Sequence, residues 1–245
     1  MNSKFLRVLV IIIQFLVITA ELGLCIYSIV LVEDVTENFF TAAVVRISAI
    51  ILMTISYYKT SVSRINPGNL FIIFYLFSMT VAELVVLSSF TAITGLSFIP
   101  PHALAKMIMA TQILVQFCLI GYAVQYQTNE HSSIVRLFFF GIVATAFMVV
   151  LIPSSQSVST LWNMKAPRIL LSTLAVVALV SNMILAFSET TKAGVLRHMA
   201  TVLLIVGNFI TVLSDTLMVT MVGSAIFFVG GIITMLITLR NSVIL

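Results

Sequence analysis

Eight apolar stretches, most of them about 20 residues long, follow one another along this chain. All five prolines (Pro67, Pro100, Pro101, Pro153 and Pro167) fall between them. A stretch of that length crosses the hydrocarbon core of a bilayer, about 30 Å thick, as one helix. Proline is confined to the ends because it lacks the amide N–H and clashes inside a helix. Charged residues are 8% of the chain, hydrophobic residues 61%, and mean hydropathy is +1.21. A water-soluble domain carries about 25% charged residues, so these side chains cannot cover a water-facing surface. The short alternating strands of an outer-membrane barrel are absent. The fold class is therefore all-α: a polytopic membrane bundle forming a single transmembrane domain over residues 1–245.

The pattern predicts helices over 6–32, 39–58, 69–96, 102–126, 133–152, 168–187, 196–219 and 222–240. The first also resembles a signal peptide, but its apolar run continues through "IYSIVLV" without a small-x-small cleavage site, so a retained helix is expected. Only "MVG" separates the last two, and the alternative is seven helices with a long, bent final one. Gly223, Gly230 and Gly231 suit either a tight turn or close helix packing there. Charge sets the orientation. With the N-terminus inside, Lys4, Arg7, Lys59, Arg64, Arg136, Lys192, Arg197 and Arg240 are cytoplasmic. Lys106, Lys165 and Arg168 lie outside, as does the acidic loop of Glu33, Asp34 and Glu37. That is a positive-inside bias, and an even helix count leaves both termini cytoplasmic. The net charge of +4 thus reports topology and not a nucleic-acid partner. Trp162, Tyr57, Tyr58 and Tyr126 fall where interfacial belt residues belong.

Four ionisable residues break the apolar helices: Glu21, Arg46, Glu83 and Asp215. Asp or Arg at the bilayer centre costs about 2.5–3.5 kcal/mol on insertion scales. At 1.5 Å of rise per residue, Glu21 and Glu83 each lie about 20 Å above the inner face and Arg46 about 10 Å below the outer one. These depths coincide in a 30 Å core, and Asp215 follows at about 25 Å. Three acids and one base leave excess negative charge, which a low dielectric resists by keeping at least one carboxyl neutral. A neutral acid beside a carboxylate is an acid/base pair. Arg46 has two possible partners: Glu21, or Glu83 with Glu21 left over. Gln112, Gln116, Ser181, Asn182, Asn208 and Ser214 lie at nearby depth, with Gln112 and Gln116 on one helix face.

Other chemistry has little support. His102, His131 and His198 fall at helix ends or loops, away from any haem or metal site in the core. Cys25 and Cys118 fall within helices as free thiols. No phosphate-binding glycine motif occurs, and no metal or cofactor is expected. The partners expected are membrane lipid, as solvent and possible substrate, and no nucleic acid.

The stretch "GNFITVLSDTLMV", with Gly207, Phe209, Ser214 and Asp215, resembles the seventh helix of the YhhN family of lysoplasmalogenase-like membrane proteins, which has eight helices. Arg46 in "VVRISAIILM" is similar to the basic residue of that family's second helix, and Phe227 and Phe228 to the aromatic pair of its eighth. "FSMTVAELVVL" places Ala82-Glu83 where the family carries Gly-Asp. The family's helix-four histidine is absent, with Gln116 nearest to its place, and the glutamine of its eighth helix is not kept. The resemblance implies hydrolysis of the vinyl-ether bond of a lysoplasmalogen. Glu83 and Asp215 would then be the catalytic pair, with Arg46, Glu21 and Gln116 binding substrate or balancing charge. The residues suit that chemistry: a neutral carboxyl protonates carbon, and a carboxylate stabilises the resulting cation and activates water. Arg46 would hold a phosphate or tune the pair. Two other readings fit the same charged layer: a proton-coupled carrier of a small solute, and a non-catalytic polytopic protein whose charges are packing glue.

Overall fold

The computed structural model describes residues 3–31, 37–61, 68–127, 131–150, 158, 164–214 and 216–243. Among them are nine helices: α1 (Ser3–Leu31), α2 (Glu37–Ser61), α3 (Gly68–Ala82), α4 (Val85–Thr94), α5 (Pro101–Gln127), α6 (His131–Val150), α7 (Lys165–Ser188), α8 (Lys192–Leu213) and α9 (Leu217–Val243). Seven segments are long and apolar enough to cross a membrane; α3 and α4 count together as one, Phe71–Thr94. This is the architecture of a multi-pass integral membrane protein. Trp162, the acidic residues Glu33 and Asp34, and Asp215 lie outside the described residues.

The helices close into a ring. α2 packs on α1 and, extensively, on α9; α9 packs on α8, α8 on α7, α7 on α5, and α5 on α3, which returns to α1 and α2. α6 joins from outside, against α5. The ring turns the usual burial rule around. On α1 the buried positions are Gln14, Ile18, Glu21, Cys25 and Ser28, spaced four and three residues apart, while Ile12, Leu16, Ile26 and Val30 are exposed. Gln14, Glu21 and Ser28 therefore face the interior while much of the helix's aliphatic surface faces outward, as expected where the solvent is hydrocarbon.

Three sequence expectations are corrected. The final two helices are distinct, but they divide at Ser214–Thr216 and not at "MVG". Ser214 and Thr216 hold the link together: the Thr216 N–H donates to Ser214 Oγ (3.2 Å) and Ser214 Oγ donates to the Thr216 carbonyl (2.7 Å). Local side-chain bonding of this kind competes with helix, so the helix that was expected to carry Asp215 in the outer half of the membrane ends at Leu213. Gly223 serves packing: α8 and α9 run so close that a Cβ on Gly207 would lie 2.5 Å from the Phe227 nitrogen and 2.7 Å from the Gly223 carbonyl. The expected helix 69–96 is divided at Glu83–Leu84 and stops at Thr94. There Gly95, at φ 72°, caps it by donating its N–H to the Thr91 carbonyl (2.9 Å). Finally, His198 is not at the helix end where it was expected. It lies in the second turn of α8 with no exposed surface.

Candidate functional site

The division of α3 from α4 is a tightening, not a gap. The amide of Leu84 bonds the Val81 carbonyl (3.2 Å), that of Val86 bonds Glu83 (3.0 Å), and that of Leu87 bonds Leu84 (2.9 Å). Bonds to the third residue back narrow the helix for one turn, a feature that often marks a hinge or strain when it falls mid-helix. Glu83 sits at this point, at 1% exposure.

Arg46 reaches into the ring from α2 and forms an ion pair with Glu83 (Nη2–Oε1 2.5 Å). The same nitrogen donates to Asn208 Oδ1 on α8 (3.3 Å), and Asn208 Nδ2 donates to Gln112 Oε1 on α5 (2.9 Å). The guanidinium also lies 5.8 Å from the centre of the Phe227 ring on α9, within cation–π range. One arginine thus ties together α2, the α3–α4 junction, α8 and α9, with α5 following through Asn208. Of the two partners open to Arg46 from the sequence, it takes Glu83.

Glu21 is the carboxyl left over. It is 1% exposed, and neither of its oxygens has a hydrogen-bond partner. It is close enough to Glu83 for the two to repel. Tyr75, on α3, lies within electrostatic reach of both Arg46 and Glu83. Its hydroxyl, together with those of Ser28 on α1 and Ser224 on α9, is buried without a hydrogen-bond partner. Gln116, one turn along α5 from Gln112, is fully buried and neither of its amide atoms is bonded. Among the described residues, then, the site combines one ion pair, whose Arg46 Nε and Glu83 Oε2 have no hydrogen-bond partner, with several other polar groups that are not satisfied. A buried polar group without a partner costs roughly 1–3 kcal/mol.

The sequence-derived residues divide accordingly. Glu21, Arg46 and Glu83 come together, and Gln116 lies one turn beyond the Gln112–Asn208 bond. Asp215 is outside the described residues; its neighbour Ser214 lies six residues past Asn208, about 9 Å of helix rise. Ser181 bonds its own helix at the Val177 carbonyl (2.8 Å) and does not join the centre.

A second polar cluster lies beside the first, toward the N-terminal end of α1. Gln14 Nε2 donates to Thr54 Oγ1 (2.9 Å) and to Thr80 Oγ1 (3.1 Å), joining α1, α2 and α3. Sequence reasoning passed over Gln14 because it lies seven residues, about 10 Å of helix rise, from the layer of Glu21. The signal was present: Gln14, Glu21 and Ser28 stand seven residues apart, the spacing of one helix face.

Among the described residues no group of three or more His, Cys, Asp or Glu side chains is placed to hold a metal ion. No family model, curated protein or solved structure matches the chain.

Proposed function

We propose that the protein is an eight-span carrier of a cytoplasmic-type membrane, with both termini inside, that moves a small solute coupled to protons. The Glu21–Arg46–Glu83 centre is its proton-binding part. The eighth crossing is α6, whose 20 residues reach about 30 Å, and the loop charges orient the bundle. One observation carries the functional reading: a buried carboxyl, Glu21, without a hydrogen-bond partner, beside a carboxylate already taken by Arg46. One guanidinium neutralises one carboxylate. In hydrocarbon the second is tolerated as the neutral acid, and ionises only when something else balances it. Loading and unloading that proton changes the charge of the centre by one. It therefore changes the hold of Arg46 on four helices at the point where the Phe71–Thr94 span is tightened. Helix irregularity at a midplane ionic site is a feature of secondary transporters.

The vinyl-ether hydrolase is the second reading, favoured by the same juxtaposition of unlike carboxyls. Glu83 would stabilise the cation formed when a neutral carboxyl, Glu21 or Asp215, protonates the substrate carbon.

The test uses the full chain in vesicles loaded with a pH-sensitive dye. A pooled panel of amino acids, sugars and organic acids is added outside. Solute-dependent acidification or alkalinisation in the wild type, lost in Glu21→Gln and Glu83→Gln, supports the carrier. Release of fatty aldehyde from lysoplasmalogen by the wild type and not by these variants replaces it with the hydrolase. Neither activity from folded protein makes the centre helix glue and overturns both.

A further inference from the structure

We propose that His198 is a second proton site, on the cytoplasmic side of the Arg46–Glu83 centre and joined to it along the polar faces of α5 and α8. The inference rests on the proton-coupled reading above, but its own observations are separate. His198 is fully buried, and its Nδ1 lies 3.4 Å from Asn182 Oδ1 on α7. The Asn182 amide nitrogen already donates to two carbonyls, Ala178 (2.9 Å) and Leu119 (3.5 Å). That fixes the orientation of the amide: its oxygen faces the imidazole and can only accept. His198 therefore carries its hydrogen on Nδ1, and Nε2 is the basic nitrogen. The structural alternative is an imidazole whose one role is to hold Asn182.

The surroundings of the ring are specific. Tyr122 of α5 has its ring 6.4 Å away, and Glu189, at the end of α7, and Arg197, on α8 itself, act on it electrostatically. α9, the other helix packed on α8, has one ionisable residue, Arg240, at its exposed end. His198, Thr201, Ile205 and Asn208 are buried along one face of α8, and the ten residues from His198 to Asn208 span about 15 Å. On α5 the facing positions are Leu119, whose carbonyl takes Asn182, then Gln116, then Gln112, which takes Asn208. Gln116 thus stands between the two bonded clusters, fully buried and with both amide atoms unbonded. A residue there that served packing alone would be apolar. An amide offers one donor group and one acceptor midway between a histidine and an ion pair.

The step balances simply. Nε2 of His198 takes a proton from the cytoplasmic side and forms the imidazolium. That N–H bond then breaks, and the proton passes through water held by Gln116 and Gln112 to the Glu21 carboxylate, where an O–H bond forms. His198 returns to the same neutral tautomer. Histidine suits this role because its ordinary range of titration spans physiological pH.

The experiment is solid-state NMR of the full chain in lipid bilayers with 15N-labelled histidine, titrated from about pH 5 to 8. His198→Gln identifies the His198 signals against those of His102 and His131. The expected result is a neutral Nδ1–H ring that converts to imidazolium within this range, with a midpoint that moves in Glu83→Gln and in Gln116→Leu. A ring that stays neutral throughout, or a midpoint indifferent to both variants, overturns the proposal and leaves His198 as a partner for Asn182. The vesicle assay separates the two ideas. Proton coupling that is unchanged in His198→Gln sinks the relay and spares the carrier. A titrating, Glu83-sensitive His198 in a protein without solute-coupled flux supports the proton site and sinks the carrier.

Discussion

The seam between α8 and α9 and the centre around Arg46 are both buried in the same bundle, yet they are built on opposite principles. At the seam there is almost no side chain: Gly207 meets the backbone of Gly223 and Phe227, and Gly230 meets that of Ala200 and Leu204. Attraction there is van der Waals contact between backbones, which small residues permit. At the centre, long polar side chains from α1, α2, α3, α5 and α8 converge, some bonded and some not. Among the described residues, the seam glycines and the backbones they meet carry nothing to titrate and no unmet side-chain donor. The centre has both. On the proposed reading the centre is the part that changes state, and the seam is the part that holds the frame while it does.

The largest effect should come from unbalancing the centre. Arg46→Met leaves Glu83 buried without its cation beside an already unpartnered Glu21, and should cost about 3–5 kcal/mol, read as loss of folded protein in a denaturant titration in detergent micelles. Next comes the seam. Gly207→Ala forces a methyl into the Phe227 and Gly223 backbones, neither of which can move aside as a side chain tip would. A cost of about 1–3 kcal/mol, the usual range for overpacking, is expected in the same titration. If Arg46→Met proves milder than Gly207→Ala, the centre is less strongly coupled to the fold than argued. The smallest effect tests the second cluster. Gln14→Leu removes two hydrogen bonds but also a polar group, so only about 0.6 kcal/mol per lost bond is expected.

Much of this comparison could be read from the residues. Apolar length gave the helices, and the charges that did not belong gave Glu21, Arg46 and Glu83. Their common depth followed from rise per residue alone, because a bilayer of fixed thickness makes depth a function of position. What could not be read was which carboxyl Arg46 would take, since both lie at one level and the choice depends on the angular order of the helices around the ring. The boundary between α8 and α9 was hidden for a related reason. "LSDTLMV" is apolar enough to continue a helix, and only the local bonding of Ser214 with Thr216 ends it. His198 was placed at a helix end because the helix was expected to begin at 196; it begins at Lys192, and His198 lies on its buried face.

The most direct measurement removes the ion pair without unbalancing it. Arg46→Met combined with Glu83→Leu takes away both charges together, and replacing a buried pair by apolar side chains is often neutral for stability. The account predicts a double variant that folds about as well as wild type and shows no solute-coupled proton movement in vesicles. A folded double variant with wild-type proton coupling would contradict it, and would make the Arg46–Glu83 pair a fastener between helices.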